Sequence, residues 1–144
     1  MAGPSALGWA GATDENINEI ASEDYLQGFI ENDNLKVYVG KTRNKIVGFC
    51  ATRKIDEGSV ELAGIIVRQD QVDKGVGTGL FRMAERDAVE DGFATMLVKT
   101  ESNNNRALSF YKNKGFREQR QVIEELNKVK VNLTVLTLAL RRGL

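Results

Sequence analysis

The chain has no histidine, and that absence excludes more chemistry than any single residue establishes. Without imidazole there is no Ser-His or Cys-His nucleophile, no ordinary general base and no basis for most zinc sites. A single cysteine, Cys50, excludes an internal disulfide and suits a reducing compartment. It sits in the apolar run 46–51, where a packed thiol is expected and not a nucleophile. Pro4 is the only proline, and no stretch of 18 apolar residues is present. The N-terminus lacks a charged-then-apolar leader pattern. Twenty basic and twenty acidic side chains cancel, so no net field draws the chain toward nucleic acid or an anionic membrane. These absences lead us to expect a cytoplasmic protein with no metal, nucleic-acid or membrane partner. Its 144 residues suffice for one domain, 1–144, with a substantial core.

Hydrophobic periodicity predicts the order β, α, α, β, β, β, α, β, α, β, β. A short strand is expected at 7–10. A helix capped by Thr13 or Asp14 follows, then one opened by Ser22 and ended by 32–34. Strands are expected at 35–40 and 45–53 around the polar turn 41–44, and at 59–67 and 95–100. Residues 116–125 and 129–140 read as a β-hairpin, and Asn132-Leu133-Thr134, a glycosylation sequon by pattern, reads as strand. The long apolar final strand offers an edge through which the chain could form a homodimer. This order gives an α/β fold, a mixed sheet with helices on both faces.

Residues 67–81 hold the most informative pattern. An apolar strand runs through three glycines within five residues (Gly75, Gly77, Gly79) into a helix burying Leu80, Phe81, Ala84 and Ala88. Glycines before a helix start let a ligand approach the backbone, and free N–H groups there carry roughly +0.5 charge toward an anion. A P-loop is excluded because Lys74 precedes the glycines and Leu80 follows Gly79. A dinucleotide fingerprint is excluded because Leu80 stands where its third glycine belongs, and Leu97 where an acidic residue belongs.

A different pattern fits. The segment resembles the acyl-CoA loop of the GNAT N-acetyltransferase superfamily, Val-x-Pro-x-x-Arg/Gln-x-x-Gly-x-Gly-x-x-Leu, through Val67, Gly75, Gly77 and Leu80. It departs where Gln69 replaces the proline, Val72 the arginine or glutamine, and Asp73 a frequent glycine. Downstream, 104–116 resembles that superfamily's Asn-x-x-Ala-x-x-Phe/Leu-Tyr-x-x-x-Gly-Phe through Asn104, Ala107, Phe110, Tyr111, Gly115 and Phe116. This segment is also a capped helix, with Asn103 or Asn104 as N-cap and Gly115 just past its end. The resemblance covers nearly the whole chain and is thinnest over its first thirty residues.

The resemblance implies a GNAT-like acyl-CoA N-acyltransferase fold, its mostly antiparallel sheet splayed between strands 4 and 5. It also implies acetyl-CoA as co-substrate and transfer to a primary amine, on a small molecule or a protein. Main-chain groups of Ile65 and Val67 would pair with the pantetheine arm, with the Val67 N–H at the thioester oxygen and Ile66 between them among the cofactor-binding residues. Val72, Asp73, Lys74, Gly75, Val76, Gly77 and Thr78 would surround the diphosphate. Asn104 would bond the arm, and Lys112 and Arg106 would meet phosphates. Tyr111 would protonate or bond the departing thiolate. With no histidine available, Glu61 is the natural base and Glu101 the second choice. Two other classes remain open: a non-catalytic acyl-CoA-binding or sensing module of the same fold, and a nucleotide-binding α/β domain. Nothing in the sequence identifies the acceptor.

Overall fold

Strands form where the sequence alternates or runs apolar, and tight turns form where it supplies residues tolerant of positive φ. The computed structural model describes residues 6–7, 35–72 and 74–140. β1 is Ala6–Leu7. β2 (Leu35–Thr42) and β3 (Lys45–Lys54) form a hairpin whose turn residues Arg43 and Asn44 have φ of 52° and 70°. β4 spans Ser59–Val67, and a 3-10 turn at Gln69–Gln71 leads toward helix α1, Val76–Glu90. β5 (Thr95–Glu101), helix α2 (Asn105–Asn113), β6 (Arg117–Leu126) and β7 (Val129–Ala139) complete the described chain. The β6–β7 turn repeats the first hairpin's solution, Asn127 and Lys128 having φ of 50° and 67°.

The sheet order is β2-β3-β4-β5-β7-β6, with β1 on β4. Among the described residues only β4 and β5 run parallel, joined through α1. Because β7 is bonded to β5 on one side and β6 on the other, the edge expected of it does not exist, and among the described strands β2 and β6 are the edges. β1 ends at Leu7; the rest of the strand expected at 7–10 and the helices expected at 13–31 lie outside the described residues.

Both described helices share one cluster on one face of the sheet. Leu80, Phe81, Ala84 and Ala88 of α1 and Ala107 and Tyr111 of α2 pack with Leu62, Ile65, Met96 and Val98. The sheet's opposite face buries Phe49, Ile66, Leu133 and Val135. Each helix ends the same way. Past α1, Gly92 (φ 90°) allows Phe93 N–H to reach Ala88 O at 3.1 Å. Past α2, Gly115 (φ 102°) allows Phe116 N–H to reach Tyr111 O at 3.0 Å. This is a Schellman closure, and it turns an aromatic back onto the core.

Cys50 lies wholly inside this cluster, its Sγ 3.7 Å from Leu80 O, as a packed thiol. Burial pushes its pKa up to about 12. The thiolate is therefore favoured only in the unfolded chain, so this group's contribution to stability is complete below about pH 8.5 and is lost as pH rises toward 12. Between pH 9 and 10 the unfolding free energy should fall by about 1 kcal/mol more in the native chain than in Cys50→Ala. Denaturant titrations across that range check this, and parallel profiles would contradict it.

Candidate active site

The site begins with a bulge. Ala51 pairs with Gly64 but Thr52 pairs with Leu62, so Ala63 is an extra residue on β4. A bulge bends its strand and increases local twist. β4 and β5 pair only at Ser59–Thr95, Val60–Met96 and Glu61–Leu97. Beyond that point β5 continues along β7 to Glu101 while β4 continues along β3 to Val67, leaving a gap between them.

Hydrogen-bond alternation shows which backbone groups face the gap. Arg68 N–H donates to Val47 O on β3 at 2.7 Å, so Ile66 also bonds toward β3, and the main-chain groups of Ile65 and Val67 turn toward the gap. On β5, Ser102 N–H donates to Asn132 O at 2.9 Å, so the groups of Lys99 and Glu101 face the gap from the other side. The Glu101 carbonyl is taken by Asn104 N–H at 2.9 Å. Ile66 turns its backbone toward β3. The Ile65 edge already has a partner, because Leu7 of β1 lies opposite Ile65 and Ala6 opposite Ile66. Since β3 holds the other edge of these residues, β1 lies on the gap side, where it also touches α2.

At the mouth of the gap α1 begins. Its N-cap, Gly75, has φ 83° and makes no side-chain cap bond. The first intrahelical bond runs from Gly79 N–H to Gly75 O at 2.9 Å, which leaves the Val76, Gly77 and Thr78 N–H groups without intrahelical acceptors. Among the described residues, a side chain on Gly75 or Gly79 would meet no atom within 4 Å. Gly75 is required for its backbone angle, not for room. Val72 lies in the turn ahead of it, Lys74 is exposed, and Asp73 lies outside the described residues.

Asn104 is the N-cap of α2, its Oδ1 accepting from Ala107 N–H at 3.1 Å. This bond sets the helix phase that buries Ala107 and, four residues on, Tyr111. The Tyr111 ring is fully buried and edge-on to Phe110 and Phe116, centroids 5.3 and 5.4 Å away. Desolvation holds its phenol well above the usual tyrosine range. Lys112 is committed to Glu118 at 3.0 Å, and Arg106 is exposed.

Glu61 is mostly buried and forms a salt bridge with Arg53, its cross-strand neighbour. Strand alternation places it on the sheet face opposite Val60, Leu62 and therefore Tyr111. With the bulged Ala63 adding no rise, Glu61 lies roughly 10 Å along the strand from Ile65 and about 17 Å from Val67, so Ile65 is the nearer of the two gap-facing residues. Two residues here escaped the sequence reading. Arg53 was legible only through the register of the β3–β4 pair. Thr100 was signalled by a polar residue at an inward position after Met96 and Val98; it is buried, and its Oγ1 has no hydrogen-bond partner.

A separate cleft of about 420 Å³ lies at the other end of β4, lined by Lys36, Tyr38, Thr52, Val60, Asp91 and Phe93 among others. Its polar groups satisfy one another: Tyr38 donates to Asp87 at 2.5 Å, and Lys36 pairs with Asp87 and Asp91. Among the described residues, no group of three or more His, Cys, Asp or Glu is placed to hold a metal, and no helix is long and apolar enough to cross a membrane.

With this geometry established, the family follows. Residues 6–116 match the acetyltransferase (GNAT) family, and the chain belongs to it. No protein of curated function matches the sequence. Among solved structures, the ribosomal-protein-S18-alanine N-acetyltransferase of Escherichia coli is similar with TM-score 0.71 at 16% identity, over 90% of this chain and 89% of that one. A GNAT acetyltransferase from Elizabethkingia anophelis with acetyl-CoA bound is similar with TM-score 0.69 at 19% identity, over 91% and 94%. A Bacillus subtilis acetyltransferase in complex with CoA is similar with TM-score 0.67 at 23% identity, over 83% and 85%. At these identities the likeness is one of fold.

The cap bond of Asn104 is testable by its stability alone. Asn104→Ala should cost about 1 kcal/mol of stability, whereas Asn104→Ser, which still caps, should cost only a few tenths. Urea titration of the three proteins checks this, and an Asn104→Ala variant as stable as the native chain would show that the cap bond carries no stability.

Proposed function

We propose that this chain is an acetyl-CoA-dependent N-acetyltransferase that passes the acetyl group directly to a primary amine, on a small molecule or a protein. The observation that carries this reading is the parting of β4 from β5 beside a helix start that no side chain caps. Membership of the GNAT family, with similar folds crystallised with acetyl-CoA or CoA, supports it.

The residues present fit such a co-substrate. The N–H groups of Val76, Gly77 and Thr78 suit a diphosphate through the helix dipole, with Lys74 adding charge at the surface. Gap-facing main-chain groups of Ile65 and Val67 suit an extended arm that adds to the sheet like a strand. Acetyl-CoA supplies the activated acyl thioester. The chain's own groups handle protons on either side of it. An alkyl amine has a pKa near 10.4, so freeing its lone pair at pH 7 costs about 4.6 kcal/mol and calls for a base. Glu61 serves this role from one face through ordered water, with Arg53 fixing the carboxylate. Tyr111 serves the departing sulfur from the other face. A phenol near pKa 10 facing a thiol near 8.5 makes full proton transfer uphill by about 2 kcal/mol, and burial raises the phenol further. Tyr111 therefore acts as a hydrogen-bond donor that strengthens as charge develops on sulfur. An Ile65 N–H aimed at the acyl oxygen adds about 3 kcal/mol of transition-state stabilisation.

The test is calorimetry with acetyl-CoA followed by thiol-release assays over an amine library. Tyr111→Phe should lower turnover at least tenfold and leave acetyl-CoA affinity within about twofold. Equal losses of both, or of neither, contradict the assigned role. Binding without thiol release from any amine would indicate a non-catalytic acyl-CoA-binding module instead.

A further inference from the structure

Three features meet at one level of the gap. On β4, Ile65 is four residues beyond Glu61, one of them the bulged Ala63; on β5, Thr100 is three beyond Leu97, the partner of Glu61. Ile65 and Thr100 therefore stand at one level on either side of the gap, both side chains turned to the helix face of the sheet, and Leu7 of β1 is paired with Ile65 there. Alternation makes Leu7–Ile65 the hydrogen-bonded pair of this short ladder, since the Ile65 groups point toward β1.

β1 satisfies the Ile65 backbone but not the wall opposite. Thr100 is 1% exposed, and its Oγ1 has no hydrogen-bond partner. The hydroxyl nearest in register, on Thr134, is used by Ser102 at 2.9 Å. A buried hydroxyl without a partner is penalised, and natural folds keep few of them. An occupant that presented a carbonyl or amide at this level would remove the penalty; Ala6–Leu7, paired with β4, leaves the hydroxyl without a partner.

Resting on the function proposed above, we infer that the gap has two alternative occupants. Ala6–Leu7 holds the Ile65 edge until an acyl-CoA arm displaces it, and the Thr100 hydroxyl is a positioning group that bonds the arm and not the strand. The device is a plug held by few bonds, so it weakens coenzyme binding without preventing it. Apparent affinity is the intrinsic affinity multiplied by the fraction of molecules whose gap is free. The Thr100 hydroxyl makes the exchange favourable by gaining its missing partner only with the arm in place.

The experiment compares the full-length chain with Leu7→Pro and Thr100→Val, using acetyl-CoA as the probe in calorimetry and thermal melts of the free proteins. Leu7→Pro removes the strand's N–H and should tighten acetyl-CoA binding about tenfold. Thr100→Val, nearly the same shape, should weaken binding about three- to tenfold, yet raise the melting temperature of the free protein by removing the orphaned hydroxyl. The opposite signs of affinity and stability in Thr100→Val separate a positioning role from mere damage to the fold. Unchanged affinity in either variant overturns the proposal while the function stands. Failure of all three proteins to bind acetyl-CoA overturns both.

Discussion

The site depends on one departure from regular pairing: β4 and β5 stay together for three residue pairs and then part. The cause is local and covalent in origin. Ala63 adds a residue to β4 that β3 does not match, and Gly64 beside it accepts an extended backbone with φ 157°. From there β4 follows β3 and β5 follows β7. Two strands otherwise bonded on both sides thus turn backbone donors and acceptors toward each other across a space too wide to bridge. Such groups seek partners. The structure supplies one in β1, and the function proposed above would supply another in a coenzyme arm.

Everything else in the site is held in place by elements with their own reasons to form. Helix α1 is anchored by Leu80, Phe81, Ala84 and Ala88, which fixes where its uncapped N-terminus points. Helix α2 is phased by the Asn104 cap at one end and closed by Gly115 at the other. Tyr111 is consequently clamped between Phe110 and Phe116 and does not depend on a ligand for its position. Glu61 stands across the sheet, braced by Arg53. The two candidate proton-handling groups are therefore on opposite faces of the strand junction, an arrangement suited to an amine arriving from one side and a thiol leaving by the other.

Much of this was legible in the sequence because the responsible signals are local. The β4 boundaries, the buried face of α1, the Asn104 cap and the left-handed Gly115 follow from periodicity and terminal residues read a few positions at a time. What was not legible depended on register. That β7 is internal, that Arg53 lies opposite Glu61, that Ile66 turns its backbone to β3, and that β1 joins β4 all require knowing which strand lies beside which. A one-residue bulge shifts every later partner, and no local pattern announces Ala63 as that residue.

Amide hydrogen exchange, resolved by residue with and without acetyl-CoA, tests the central claim most directly. The account predicts that coenzyme slows exchange at Val67, Gly77 and Thr78 together, because the gap and the α1 N-terminus form one binding surface. Slowing confined to the cleft around Lys36, Tyr38 and Asp91, or coenzyme binding with no change at those three amides, would contradict it.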